Sequence, residues 1–394
     1  MFPTSEPGPV NGLADVTGIF LGHAEVDSSG VTVVACPDGA VGAVDVRGGG
    51  PGTRETDLLK PSNSMESVHA VALCGGSAFG LDAAGGVMAG LEARGIGFPV
   101  FGEGVPGPIV PIVPAAVIFD LPVGESSSRP TAETGRAALD AALDSATDST
   151  RDSATVSVQD AAAALGNVGA GHAAVAGAVK GGFGEASSVI AGEPGSLPGA
   201  GRTVAVGLVV NPVGSIADPS DGTLWSAAVA QEHPVDLGGD GTGGTLPEPT
   251  EEGLAAFLER GMAGMKFPSG APESLNTTIG VVATDAPVTK AQAERLAMAV
   301  HDGLSRAIRP AHLPMDGDTV FALAPSGVRT GQSAAASDNT GSDNASDTVD
   351  QMELAVLSAA AATCAERAVA RAVLNADSAF GIPAWADIIT GGTP

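Results

Sequence analysis

The sequence has no tyrosine, and phenylalanine and tryptophan bring its aromatic share to only 3%. A core short of large rings must be filled by many smaller side chains, and the 44% hydrophobic share is mostly Ala and Val. Basic residues are scarce too: 18 against 45 acidic ones, a formal net charge of −27. Lysine occurs only at Lys60, Lys180, Lys266 and Lys290. This balance argues against nucleic-acid binding, because phosphate contact needs a basic patch and no stretch supplies one. An acidic, lysine-poor surface stays soluble where salt screens its self-repulsion, which points to a salt-loving source. Cys36, Cys74 and Cys364 are an odd set without C-x-x-C spacing, so neither a disulfide framework nor a zinc site is expected. No stretch reaches about 18 continuous apolar residues, and no basic segment precedes an apolar one at the N-terminus. A soluble, cytoplasmic protein with no membrane partner is therefore expected.

What is present is a chain of 394 residues with 56 glycines set between apolar runs. The length allows two or three domains, or one large α/β domain with insertions. The glycines read as tight turns and close backbone approaches. Val31–Ala35 is an expected strand, and Gly39–Val46 a second one after a turn at Pro37-Asp38-Gly39. The glycine loop Gly48-Gly49-Gly50 lacks the Gly-Lys-Ser/Thr of a phosphate-binding loop and reads as a tight connection. Val68–Leu73 is strand-like, and Gly75-Gly76-Ser77 opens a helix to about Arg94 with Ser77 as its cap. Ile109–Leu121 is a proline-interrupted strand, and residues 133–165 are helical but broken by a polar run at 144–153. Arg202–Val210 is a strand, 215–250 is irregular, and Glu251–Met262, Val288–Ile308 and Glu353–Asn375 are helices. Residues 332–351 read as a polar loop.

The stretch that organises the chain is Asn276-Thr277-Thr278-Ile279-Gly280-Val281-Val282. Two hydroxyl residues follow an asparagine and open a β-branched run that suits a buried strand. A cut between Asn276 and Thr277 would free the Thr277 α-amine beside its own hydroxyl, the arrangement of N-terminal-threonine catalysis. The plainer reading of the same residues is an ordinary strand start. Other candidates stand apart in sequence. Lys180 lies among glycines in a chain with almost no lysine, and Asn211 ends a strand with an amide that can face an oxyanion. Asp316 and Asp318 are two residues apart at a strand start, where alternation sets both on one face.

Together these pieces resemble the DmpA-like self-cleaving peptidases, the group that includes β-aminopeptidases and nylon-oligomer hydrolases. The resemblance is carried by Gly75-Gly76-Ser77-Ala78-Phe79-Gly80-Leu81-Asp82, Val113 to Asp120, Gly166-Asn167-Val168-Gly169-Ala170-Gly171, Lys180-Gly181-Gly182, Asn276-Thr277-Thr278-Ile279 and Asp318 to Ala322. It implies a four-layer α/β/β/α fold, like that of N-terminal-nucleophile hydrolases but differently connected. It further implies self-cleavage into an α chain (1–276) and a β chain (277–394) that stay together in one domain. Residue by residue, Thr277 matches the nucleophile, Lys180 a lysine that contacts it, and Asn211 the oxyanion asparagine. Asp316 and Asp318 match the pair that orients the nucleophile, and Thr after Asn places the chain nearest the nylon-oligomer branch. No cofactor or metal is implied. The expected partners are a small peptide or amide substrate and further copies of the chain in a homo-oligomer. The family often supplies a tyrosine hydroxyl near the oxyanion; here Arg136 lies near its place, and His172 stands where a small hydroxyl residue is usual. The stretches near 144–160 and 332–351 look like acidic insertions. Two other readings stay open: an acyltransferase of the ornithine acetyltransferase type, and a homologue with a dead site.

Overall fold

Strands such as Thr203–Val210, Ile279–Thr284 and Thr319–Ala324 are buried along their whole length, as expected of apolar runs with both faces covered. The computed structural model describes residues 3–102, 104–149, 164–233, 245–262, 276–325 and 348–392. In the first half the order is β1 (Ser5–Glu6), β2 (Phe20–Val26), β3 (Ser29–Val46), β4 (Thr53–Arg54), β5 (Val68–Cys74), α1 (Ala83–Glu92), β6 (Phe98–Pro99), β7 (Ile109–Val110), β8 (Ala115–Val117) and α2 (Ala132–Ser149). Then come β9 (Val175–Ala176), β10 (Val179–Lys180), β11 (Gly182–Ile190), β12 (Thr203–Val210), α3 (Ala227–Glu232) and α4 (Glu251–Met262). The chain closes with β13 (Ile279–Thr284), α5 (Lys290–Ala307), β14 (Thr319–Ala324), α6 (Gln351–Leu374) and α7 (Trp385–Ile389).

The strands run β1-β11-β12-β13-β14-β3-β5-β8-β4, with β2 paired to β3. β13 and β14 are parallel, as are β5 and β8; the other pairings are antiparallel. The long β3 belongs to two sheets at once, pairing β14 through Val41–Val46 and β2 and β5 through its earlier residues. Side-chain alternation then builds three layers of core. Val206, Leu208, Val282 and Val320 pack towards α5 and α6. Val209, Val281 and Phe321 meet Val34, Val71 and Leu73 between the two sheets. Ala35, Ala70 and Ala72 face α1 and α2. Helix, sheet, sheet, helix: this is the four-layer architecture that the resemblance implies.

The scarcity of rings has a structural counterpart. A Cβ at Gly184 of β11 would lie 2.1 Å from the Ala368 oxygen of α6, so the helix backbone rests directly on the strand. Small residues bring the layers close, which fills space without aromatics.

Several expectations need correction. Val31–Ala35 and Gly39–Val46 form one strand; its ladder to β5 shifts between Ala35 and Ala40, so Pro37 sits in a bulge instead of a turn. Ser77 does not cap a helix. Its φ is 53°, it makes no side-chain capping bond, and it begins a 3-10 turn (Ser77–Asp82) ahead of α1. Pro111 and Pro114 reduce Ile109–Leu121 to two short strands, and the short helix α3 lies inside the stretch expected to be irregular. Helix α2 continues through residues 144–149 of the supposed break. The remainder of the insertion near 144–160, from residue 150 on, lies outside the described residues, as do 332–347. No helix among the described residues is long and apolar enough to cross a membrane.

Candidate active site

β12 ends at Val210, and the next residue, Asn211, lies beside the approach to β13. Its backbone oxygen accepts the Thr277 amide N–H at 3.1 Å. On the other flank, Asn276 forms a parallel bridge with Asp316, and the Thr319 N–H donates to Thr278 O at 3.1 Å. Thr277 is thus clamped on both flanks inside the central sheet and is only 4% exposed. Thr277 Oγ1 donates to Asn276 O at 2.5 Å, and the Gly317 N–H donates to the same oxygen at 2.8 Å. Of the two threonines, Thr277 alone turns its hydroxyl onto this carbonyl; Thr278 Oγ1 has no hydrogen-bond partner among the described residues. Gly317 has to be glycine here, since a Cβ would lie 2.7 Å from Thr277 Oγ1.

The two aspartates lie in the loop ahead of β14, outside the regular strand, and they act on backbone. Asp318 Oδ1 accepts the Thr278 N–H at 2.7 Å, and its Oδ2 accepts both the His312 N–H at 3.2 Å and His312 Nδ1–H at 2.7 Å. Asp316 Oδ2 accepts the Leu313 N–H at 2.7 Å, and Oδ1 lies 3.4 Å from the Val213 nitrogen. Behind them runs Arg47-Gly48-Gly49-Gly50. The Arg47 N–H donates to Asp318 O at 2.9 Å and the Gly50 N–H to Asp316 O at 2.8 Å. The glycine loop is therefore the backing of the acid loop, more than a connection.

Lys180 is fully buried in β10, and its Nζ donates to His172 O at 3.0 Å and Ala174 O at 2.8 Å. It makes no hydrogen bond to Thr277 among the described residues. Burial pulls its pKa down to about 7, against the attraction of Asp120. Burial likewise pushes the Asp120 carboxyl up, against bonds from Ser29 and Gly76 and the charge of Lys180. Lys180 joins the site through its β-pairing with Val175, whose N–H donates to Asn211 Oδ1 at 2.9 Å. Asn211 Nδ2 lies 3.4 Å from Phe119 O, a long bond. Thr277, Asn211, Asp316 and Asp318 thus form one bonded cluster, with Lys180 one hairpin away. Arg136 belongs elsewhere: it pairs with Asp140 at 3.0 Å along α2. His172 bonds through Nδ1 with Asn167 O at 3.0 Å and stacks edge-on against Phe380. Sequence reasoning missed His312, Gly317 and Asp120 as site residues.

The model of the family described as peptidase family S58 matches residues 11–384. The chain belongs to peptidase family S58. An uncharacterized aminopeptidase of Mycobacterium leprae is 44% identical over 97% of this chain and 95% of its own length. A 6-aminohexanoate-oligomer endohydrolase of Kocuria sp. is 30% identical over 78% of this chain and 73% of its own. Among solved structures, the L-aminopeptidase D-Ala-esterase/amidase of Ochrobactrum anthropi gives a TM-score of 0.62 at 19% identity, covering 95% of this chain and 89% of that one. A β-aminopeptidase of Burkholderia sp. gives 0.59 at 19% identity, with 95% and 90% covered. These two share the fold, a variant of the N-terminal-nucleophile hydrolase type. As an S58 member the chain is a peptide-bond hydrolase.

Proposed function

We propose that this S58 chain cuts its own Asn276–Thr277 bond and then works as an N-terminal-threonine amidohydrolase. The observation that carries the reading is the 2.5 Å contact between Thr277 Oγ1 and Asn276 O, with Gly317 as second donor. In the first step Oγ1 attacks the Asn276 carbonyl carbon, the C–N bond breaks, and the hydroxyl proton ends on the Thr277 nitrogen. The Gly317 N–H is placed to meet the negative charge that builds on the oxygen. Water then cleaves the ester, leaving a carboxylate at Asn276 and a free amine at Thr277.

That amine, with an ordinary pKa near 8, serves as general base for its own hydroxyl at neutral pH. It inherits the hydrogen bond to Asn211 O, while Asp318 holds the next peptide through Thr278. The Asn211 side chain is the donor proposed for the substrate's oxyanion, a role worth roughly 3 kcal/mol in comparable sites. Lys180, titrating near 7, favours the neutral amine whenever it is charged. Substrates are short amides: peptides with a free amino end, β-amino peptides or ω-amino-acid oligomers. The αβ units assemble into a homo-oligomer, a reading supported by the exposed apolar side chains of Phe98, Val100, Phe101, Val105 and Val110 around the β6–β7 hairpin.

The test is the intact mass of freshly purified protein under denaturing conditions, beside Thr277→Ala. Two pieces meeting at Asn276–Thr277, roughly 27 and 11 kDa of the 38.3 kDa total, and their absence in the variant are expected. One uncut chain after long incubation in high salt overturns the reading.

A further inference from the structure

His312 takes no part in the chemistry above, yet it is bonded directly to Asp318. Its φ of 58° is left-handed, a conformation that costs a residue with a Cβ and persists only where the surroundings enforce it. Backbone and ring both grip one oxygen, Asp318 Oδ2, at 3.2 and 2.7 Å. A carboxylate only accepts, so the proton of this contact sits on Nδ1. The other ring nitrogen, Nε2, is buried and has no hydrogen-bond partner among the described residues.

The ring packs edge-on against His301 of α5, with centroids 4.8 Å apart. His301 Nε2 lies 3.2 Å from Asp45 O and 3.7 Å from Asp45 Oδ2, and Arg47 Nε pairs with that same carboxylate at 2.7 Å. The Arg47 N–H in turn donates to Asp318 O. The contacts close a ring: Asp318, His312, His301, Asp45, Arg47 and back to Asp318. Burial holds His301 down near 4, so it is neutral, whereas the hydrogen bond and charge of Asp318 outweigh burial and raise His312. A side chain that merely filled space would not need a strained backbone and an open buried nitrogen.

We propose that His312 is a positioning residue for Thr277, acting through Asp318. By occupying Oδ2 it turns the carboxylate so that Oδ1 meets the Thr278 N–H at 2.7 Å. That bond fixes the peptide directly after the nucleophile. Once Asn276 has been cut away, it holds, together with the Thr319 N–H bond to Thr278 O, the side of Thr277 that remains joined to the chain. Without the imidazole, Asp318 swings and the hydroxyl drifts from its line of attack. A misplacement of about 1 Å costs on the order of 100-fold in rate.

The inference rests on Thr277 being the nucleophile, and the experiment separates the two. The full-length chain is compared with His312→Gly and His312→Asn. Both residues tolerate the left-handed backbone, but only Asn places an N–H donor where Nδ1 stands. Self-cleavage is followed by intact mass, and kcat and KM are measured on the cut enzyme. The expected result is a Gly variant slowed about 100-fold in cleavage and in kcat with KM unchanged, and an Asn variant within a few-fold of wild type. Equal rates in all three proteins, or an equal fall in both variants, overturn the proposal. Should the Gly variant fail to fold, His312→Asp, which tolerates the left-handed backbone and offers no N–H donor, takes its place under the same criteria. A wild-type chain that is neither cut nor active overturns the Thr277 reading itself.

Discussion

The hydroxyl of Thr277 lies 2.5 Å from the carbonyl oxygen of Asn276, the residue to which it is joined. The contact is buried, and both partners are held by backbone bonds to the segment that follows β12 and to the loop ahead of β14. Thr277→Val keeps the shape and removes the hydroxyl proposed as nucleophile, while Thr277→Ser keeps a hydroxyl there. The Val variant should remain a single chain, and the Ser variant should still be cut. Because Gly317 continues to satisfy the Asn276 oxygen, the stability of Thr277→Val should fall by no more than about 1 kcal/mol. Cutting of the Val variant, seen by mass, would remove Thr277 from the chemistry.

Gly317 gives a second test at a position with no side-chain functional group. The Cβ of Gly317→Ala would stand 2.7 Å from Thr277 Oγ1 and 2.8 Å from Gly50 O. Something must shift, and the hydroxyl is the freer of the two. Self-cleavage should slow on the order of 100-fold, with the fold retained by circular dichroism. A variant that cuts as fast as wild type would show that the hydroxyl reacts from another rotamer.

Burial gives one histidine a readable effect on stability. His23 bonds through Nδ1 with Thr32 Oγ1 at 2.9 Å and packs edge-on against Phe183; burial lowers its pKa to about 4. A base with a depressed folded-state pKa stays neutral while the unfolded chain takes up its proton. Its contribution is therefore intact above about 6.5 and is lost as the pH falls towards 4, up to on the order of 3 kcal/mol. His23→Asn does not titrate, so the difference in Tm between wild type and variant should move in the variant's favour across that window. A difference that stays constant between pH 7 and 4.5 counts against the assignment.

Charge gives a prediction for the whole molecule. With a net −27, and with two of the four lysines, Lys180 and Lys290, turned inward onto backbone carbonyls, the acidic surface repels itself. Raising KCl from about 0.05 M to about 1 M should raise the Tm, because screening shortens the range of that repulsion. Greatest stability in low salt would refute both the salt-loving reading and its electrostatic basis.

Much of the fold is legible in the sequence where local chemistry and tertiary packing agree. The β-branched runs at 203–210 and 279–284 are strands because both faces are buried. Helix α5 begins after Thr289 because that residue's hydroxyl and Gln292 form a capping box. Legibility fails where a bulge carries a strand through Pro37-Asp38-Gly39, since local turn chemistry there yields to pairing on both sides. It also fails where a left-handed backbone turns Ser77 from a cap into the start of a 3-10 turn. At the site, hydroxyl, amide and carboxylate residues announce themselves by type. Their supports do not: Gly317 matters for a side chain it lacks, and Gly48 to Gly50 matter through backbone contacts with residues more than 260 positions away. His312 offered only its place six residues before Asp318.

The strand order gives the proposed cut a lasting consequence. β13 and β14 lie between β12 on one side and β3 on the other, so residues from both sides of the Asn276–Thr277 bond interleave in one sheet. Breaking that bond would free no surface and release no piece; the products remain interlocked like fingers of two hands. Yet folding would have changed its molecularity. The intact chain assembles by a first-order process, whereas two separated pieces could regain this sheet only by finding each other. The enzyme would then carry a one-time assembly history, made once as a single chain and recovered after denaturation only in proportion to its concentration.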